Sequence, residues 1–216
     1  MILQIENSSL QFDMNPSEGA KIICSEFAHA LAAKAQCDPL EFFSDKFKAI
    51  REWLVLGHAC DLMAKTGLVA PYLAEKAERP DFIVYATNGE KIGGIEIAEA
   101  MRPGYRRHKW FKDHSGSLEP YPMNRPLADP WQTLRTTIAK KANKNYPSDT
   151  GLLVYLNVSL LYFKDWELEV LDQLIEEHSR TPFECVDHFR EVLVLDSEMS
   201  GLARLHPQPE VLFKTP

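Results

Sequence analysis

The sequence predicts an α/β domain built on a mixed β-sheet flanked by helices, with extra helices at its N-terminus. Two observations carry that prediction. The stretch RPDFIVYATNGEKIGGIEIAEA (79–100) sets two short apolar runs around Asn88-Gly89, a dipeptide typical of β-hairpin tips because both residues accept a positive φ. Downstream, helical spacing over about 130–145 precedes the apolar run GLLVYLNVS (151–159), and helical spacing over about 165–178 precedes VLVLD (192–196). Strands separated by helices pair in parallel and hairpin strands pair antiparallel, so the two patterns together give a mixed sheet.

Taken in order, residues 1–16 read as a short strand or arm. SEGAKIICSEFAHALAAKA (17–35) has helical spacing with Ser17 at the N-cap. Asp38-Pro39 begins a second helix, 39–66, whose apolar stripe runs through Leu40, Phe43, Phe47, Ile50 and Leu54 and which ends at Gly67. Residues 81–99 form the two hairpin strands, and 101–129, rich in Pro and Gly, is a loop long enough to be either functional or disordered. There is no internal repeat. A single domain, 1–216, is expected in three parts: an N-terminal helical part (1–70), a core (79–159) and a C-terminal helix-and-strand extension (160–216).

With 216 residues and 45% hydrophobic content, the chain can bury a sizeable core. No run reaches the roughly 18 uninterrupted apolar residues of a membrane span, and MILQIENSSLQFDMNPSEG lacks the basic start and apolar segment of a signal peptide. A cytoplasmic protein without a membrane partner is expected. Cys24, Cys37, Cys60 and Cys185 are far apart and form no CxxC, which favours reduced thiols over zinc ligands or disulfides. The absence of GxSxG, P-loop and GxGxxG motifs removes most simple hydrolase, nucleotide-kinase and dinucleotide readings.

The hairpin raises a chemical question, because each of its strands carries a carboxylate at the end far from the turn. A two-residue loop at Asn88-Gly89 pairs 87 with 90, and hence all residues whose numbers sum to 177, Asp81 and Glu96 among them. Opposed residues of an antiparallel pair stand on one face with Cβ atoms about 4.5–5.5 Å apart, so the two acids repel. A bridging divalent cation, Mg²⁺ or Mn²⁺, would offset that repulsion; the alternative is that both acids are simply solvated at strand ends. Phe82, Val84, Ile95 and Ile97 mark one buried face, and Ile83, Tyr85 and Ile92 suggest that the other is covered too. Gly93-Gly94 is the place where a bulge would shift the register by one residue.

Pro80-Asp81 and Glu96-Ile97-Ala98 resemble the PD and (D/E)XK elements of the PD-(D/E)XK nuclease superfamily. RPDF (79–82) and GIEIAE (94–99) are similar to its divergent bacterial members. The resemblance spans about residues 79–159 and implies a restriction-endonuclease-like fold. It also implies a metal site made by Asp81, Glu96 and the main-chain carbonyl of Ile97. The family's lysine, which orients or activates the attacking water, falls at Ala98. Some members supply that lysine from the following helix, which here is PWQTLRTTIAKKANKNY (130–146). Leu134, Ile138 and Lys141 share one helical stripe, so Lys141 is the candidate and Lys140 lies off it; snorkelling of Lys141 to solvent is the alternative. An upstream glutamate often completes such sites, and Glu52 is preferred to Glu41, which lies near its helix start.

Net charge is −7, yet residues 100–148 hold ten Lys/Arg against three acids, about +7, leaving about −14 elsewhere. Within this island, RPGYRRHKWFK (102–112) interleaves Arg102, Arg106, Arg107, Lys109 and Lys112 with Tyr105, Trp110 and Phe111. Cations among aromatics suit a phosphate backbone and an unstacked base, although an ordinary solvated loop has the same composition. Gln132, Arg135 and Lys144 are further candidates for phosphate contact. His108, Asp113 and His114 lack the spacing of a metal site. The expected function is metal-dependent hydrolysis of a nucleic-acid phosphodiester, DNA before RNA, with Asp81, Glu96 and Lys141 catalytic. The alternative is a catalytically degenerate module on the same scaffold that binds nucleic acid or a protein, and Ala98 favours it. The sequence leaves a homo-oligomer open.

Overall fold

The computed structural model describes residues 22–23, 48–67, 71, 73–101, 129–157, 170–196 and 199–214. Among them, eight strands form one mixed sheet whose spatial order follows the chain. The strands are β1 (Ile22–Ile23), β2 (Leu73–Lys76), β3 (Phe82–Tyr85), β4 (Lys91–Met101), β5 (Thr150–Asn157), β6 (Val192–Leu195), β7 (Gly201–His206) and β8 (Glu210–Lys214). β1 to β4 pair antiparallel, β4, β5 and β6 are parallel, and β6 to β8 are antiparallel again. Helix α1 (Lys48–Lys65) precedes β2, α2 (Pro130–Ala142) lies between β4 and β5, and α3 (Val170–Arg180) lies between β5 and β6.

Alternation along the central strands divides the interior into two cores. Ile95, Ile97, Leu153, Tyr155, Leu193 and Leu195 point to the face covered by α1, where Trp53 meets Phe82 edge to face with centroids 4.6 Å apart. Ala98, Ala100, Leu152, Val154, Val192 and Val194 point to the opposite face, under Leu134 and Ile138 of α2 and Leu171 and Leu174 of α3. Burial on both faces explains why β5 and β6 read as nearly unbroken apolar runs.

The elements start and stop where local chemistry directs. Gly67, at φ 73°, follows the last turn of α1. Asp129 caps α2 by accepting from the Trp131 N–H at 2.9 Å, with Pro130 in the first turn, where its missing N–H costs nothing.

Several expectations are corrected. Ile22–Ile23 pairs with β2 as strand, inside a segment whose spacing suggested helix. β2, β7 and β8 were not anticipated. The hairpin loop has three residues, Thr87-Asn88-Gly89: the Ala86 carbonyl accepts from Gly89 N–H and the Ala86 N–H donates to the Glu90 carbonyl, each at 2.9 Å. Gly89 takes the positive φ of 81° that closes this turn. The remainder of the anticipated helices over 17–35 and 39–47, and the loop 102–128, lie outside the described residues.

Candidate active site

Asp81 sits one residue before β3, where the Ala77 N–H donates to its carbonyl at 2.9 Å and closes the β2–β3 hairpin. Near the other turn, Tyr85 pairs with Lys91, a sum of 176; Ile92 is then bulged, and Val84–Gly93 to Phe82–Ile95 sum to 177. The three-residue turn and the bulge cancel, so Asp81 stands beside Glu96 as a two-residue turn would also have had it. The side chain confirms the juxtaposition: Asp81 Oδ2 accepts from the Ile97 N–H at 2.8 Å, and the Asp81 N–H donates to Glu96 Oε2 at 3.2 Å. Pro80 packs on Gly94, where an added Cβ would lie 2.3 Å from the proline Cγ, and this close approach holds the Asp81 backbone against β4.

Glu96 faces the α2–α3 side and is only 4% exposed. A carboxylate buried that deeply needs a counter-charge. Lys141 supplies it: Nζ lies 2.5 Å from Glu96 Oε1 and 2.8 Å from the Ile97 carbonyl oxygen. Leu134 and Ile138, both fully buried, fix the face of α2 that carries Lys141 inward, while Lys140 is exposed. Ala98 is buried on the same face of β4. Position 98 carries no amine, and the lysine that reaches Glu96 comes from α2.

A second lysine, missed in the sequence, joins from β2. Lys76 Nζ is 2.7 Å from Glu52 Oε2 on α1 and 3.6 Å from Asp81 Oδ1, and lies 4.3 Å above the Phe82 ring. Glu52 thus reaches the cluster through Lys76, and Lys48 adds a contact at 3.6 Å from the exposed side. Burial chiefly, and then the Glu52 charge, raise the pKa of Asp81; the Ile97 N–H and Lys76 oppose the rise. Nothing in the linear pattern flagged Lys76, because Glu78-Arg79-Pro80 is not a recognisable hairpin turn.

Tyr146 was also missed. Its hydroxyl is buried and has no partner at hydrogen-bonding geometry, and its ring packs on Phe189 at 5.9 Å. Burial first, then nearby Glu96 and Asp81, push the phenol far above its ordinary value, so it stays protonated.

Of the other candidates, Gln132 and Lys144 are exposed, Gln132 in the first turn of α2 and Lys144 just past its end. Arg135 is engaged with α3 and the segment after it: it donates to Glu177 Oε1 at 2.7 Å and the Thr181 carbonyl at 3.1 Å, and stacks 4.5 Å from Phe183. Arg102, Arg106, Arg107, Lys109 and Lys112 lie outside the described residues.

Asp81, Glu96 and the Ile97 carbonyl are hard oxygen donors, the type that Mg²⁺ or Mn²⁺ takes together with water and phosphate oxygens. Among the described residues no three acidic, His or Cys side chains form a cluster able to hold an ion unaided. An ion here would rely on two carboxylates, the main-chain carbonyl and outside ligands, a set that suits Mg²⁺.

Compared with protein-family models, with curated proteins and with solved structures, the chain matches none. No helix among the described residues is long and apolar enough to cross a membrane.

Proposed function

We propose that this chain is a metal-dependent nuclease of restriction-endonuclease-like type, acting on nucleic-acid phosphodiesters, with DNA the first substrate to test. The observation that carries the reading is the meeting of Asp81, Glu96, the Ile97 carbonyl and the Lys141 ammonium where the start of β3 and the end of α2 meet the middle of β4. The sequence elements PD and E-I-A, which resemble the superfamily's motif, supply the oxygen atoms, and α2 supplies the ammonium.

In this reading Asp81 and Glu96 hold Mg²⁺ or Mn²⁺ with the Ile97 carbonyl. The ion, when bound, supplies Lewis-acid polarisation of the phosphate and acidifies a neighbouring water. The Ile97 N–H keeps Asp81 oriented. Lys141 offers the amine that Ala98 lacks, for orienting the nucleophile or meeting developing charge on phosphate. Tyr146 contributes a neutral hydroxyl that can donate to Glu96. The basic segment 102–112 would track the strand.

The second reading, a degenerate module that binds nucleic acid or a protein without cutting, draws on the Lys141–Glu96 pair, which satisfies the buried carboxylate with no ion. Thermal unfolding with and without Mg²⁺ or Mn²⁺, paired with a cleavage assay, separates the two. An ion at a hundredfold excess over its dissociation constant should add about 2.7 kcal/mol of stability. That gain should vanish in Asp81→Asn and Glu96→Gln. Stability unmoved by either ion, with no strand cut, would leave the binding module standing.

A further inference from the structure

Resting on the reading that Asp81, Glu96 and the Ile97 carbonyl hold a divalent ion, we propose that Lys141 is a built-in counter-cation that must vacate this site before the ion can occupy it. The ammonium does not merely lie near the acids. It is hydrogen bonded to Glu96 Oε1 at 2.5 Å and to the Ile97 carbonyl at 2.8 Å, which are two of the three oxygens assigned to the ion. An ion bonding these oxygens at about 2.0–2.1 Å would stand in contact with the ammonium, and two unsolvated cations at that separation repel strongly. One of them has to leave.

The surroundings permit the exchange. Lys141 is in the last turn of α2, its side chain is 21% exposed, and its long stem can turn to solvent. Glu96 cannot follow, being 4% exposed on a central strand. Asp81 does not depend on Lys141 for its position, since the Ile97 N–H holds Oδ2 and Lys76 approaches Oδ1. The acids therefore stay assembled while the cation on them changes. In the closed form the lysine neutralises the buried carboxylate; in the open form the same amine is released beside the site, where phosphate would arrive. The cluster is thus stable without metal, and its apparent affinity for metal is lowered by the fraction of time that Lys141 is seated.

Calorimetric titration of Mn²⁺ into the full chain tests this with Lys141→Met, Lys141→Arg and Lys76→Met beside the wild type. Lys141→Met should bind Mn²⁺ about tenfold more tightly, the factor expected if the open form is roughly a tenth of the wild-type population. Lys141→Arg, which keeps a seated cation, should not gain. Lys76→Met removes the same charge from the cluster without freeing Glu96 Oε1 or the Ile97 carbonyl, so its gain should be clearly smaller. Equal gains in the two methionine variants would mean that general electrostatics, not displacement, is at work and would overturn the proposal. So would wild-type binding that Lys141→Met leaves unchanged or weakens. Failure of every protein to bind Mn²⁺ would instead remove the metal reading itself, and the displacement with it. Should Lys141→Met not fold, amine-labelling mass spectrometry on the wild type decides: saturating Mn²⁺ or Mg²⁺ should raise the reactivity of Lys141, and unchanged or reduced labelling despite calorimetric binding would overturn the displacement.

Discussion

Glu96 shows what one buried charge demands of its neighbours. Removing a carboxylate from water costs several kcal/mol, and the seated Lys141 ammonium with the Asp81 N–H returns enough of that to keep the site assembled. Truncating one partner should therefore cost more than truncating both. In metal-free protein, Lys141→Met is expected to lose about 2–3 kcal/mol, and Lys141→Met combined with Glu96→Gln to lose less than the sum of the single changes; urea unfolding of the four proteins of this double-mutant cycle measures the coupling. A second buried residue sets a pH limit. His178 is 8% exposed, accepts from the Phe183 N–H through Nδ1 at 3.1 Å, and has its pKa lowered chiefly by burial, with Arg135 and His206 adding to the effect. The folded state thus prefers the neutral ring. Its stabilising contribution is complete above the ordinary histidine value of about 6.5 and is lost as pH falls through the lowered folded value. Thermal unfolding across pH 5–8 should show that loss, and His178→Gln should flatten it; an unchanged slope in the variant would place the acid sensitivity elsewhere.

At the scale of the element, the β3–β4 hairpin controls the site through register. The bulged residue, Ile92, would leave its carbonyl orphaned, and Arg190 Nη1 donates to it at 2.8 Å. Beside it, Gly93 has φ 156°, and a Cβ there would lie 2.5 Å from the Asp149 carbonyl and 2.4 Å from Arg190 Nη1. The arginine could move but the main chain could not easily do so. Gly93→Ala should therefore cost about 3 kcal/mol, from strain in a backbone region that L residues avoid and from overpacking. Because the bulge restores the pairing that sets Asp81 beside Glu96, the same substitution should also weaken Mn²⁺ binding. Calorimetry on Gly93→Ala under conditions where circular dichroism shows it folded provides the check.

The whole molecule shares one sheet between two cores, since β4, β5 and β6 send alternate side chains to each face. Neither core can dissolve without loosening strands that the other needs. Trp53→Ala on the α1 side is expected to cost about 3–5 kcal/mol, and Leu134→Ala on the α2 side about 2–5 kcal/mol. Each should move a single unfolding transition, with far-ultraviolet circular dichroism and tryptophan fluorescence giving coincident midpoints. Two separated transitions, one displaced by Trp53→Ala and the other by Leu134→Ala, would mean that the faces melt independently.

Sequence by itself determined the α/β class, the α2–β5 and α3–β6 succession, the hairpin and the apposition of Asp81 with Glu96, because periodicity and turn chemistry are local. Lys141 was legible for the same reason: Leu134 and Ile138 declare a buried stripe, and a lysine on it is conspicuous. The apposition was reached through an incorrect turn, since a three-residue loop and a bulge at Ile92 offset each other, and no local signal marks that bulge except the glycines beside it. The outer strands β1, β2, β7 and β8 escaped notice because they are short and carry neither an Asn-Gly turn like that beside β3 nor an unbroken apolar run like that of β6. Only the tertiary structure brought Lys76 between Glu52 and Asp81, set Tyr146 near Glu96 and turned Arg135 toward α3. These placements depend on which strand lies beside which and on how helices cross the sheet. Such contacts join residues distant in sequence, and their selection by burial and charge pairing is a property of the assembled chain.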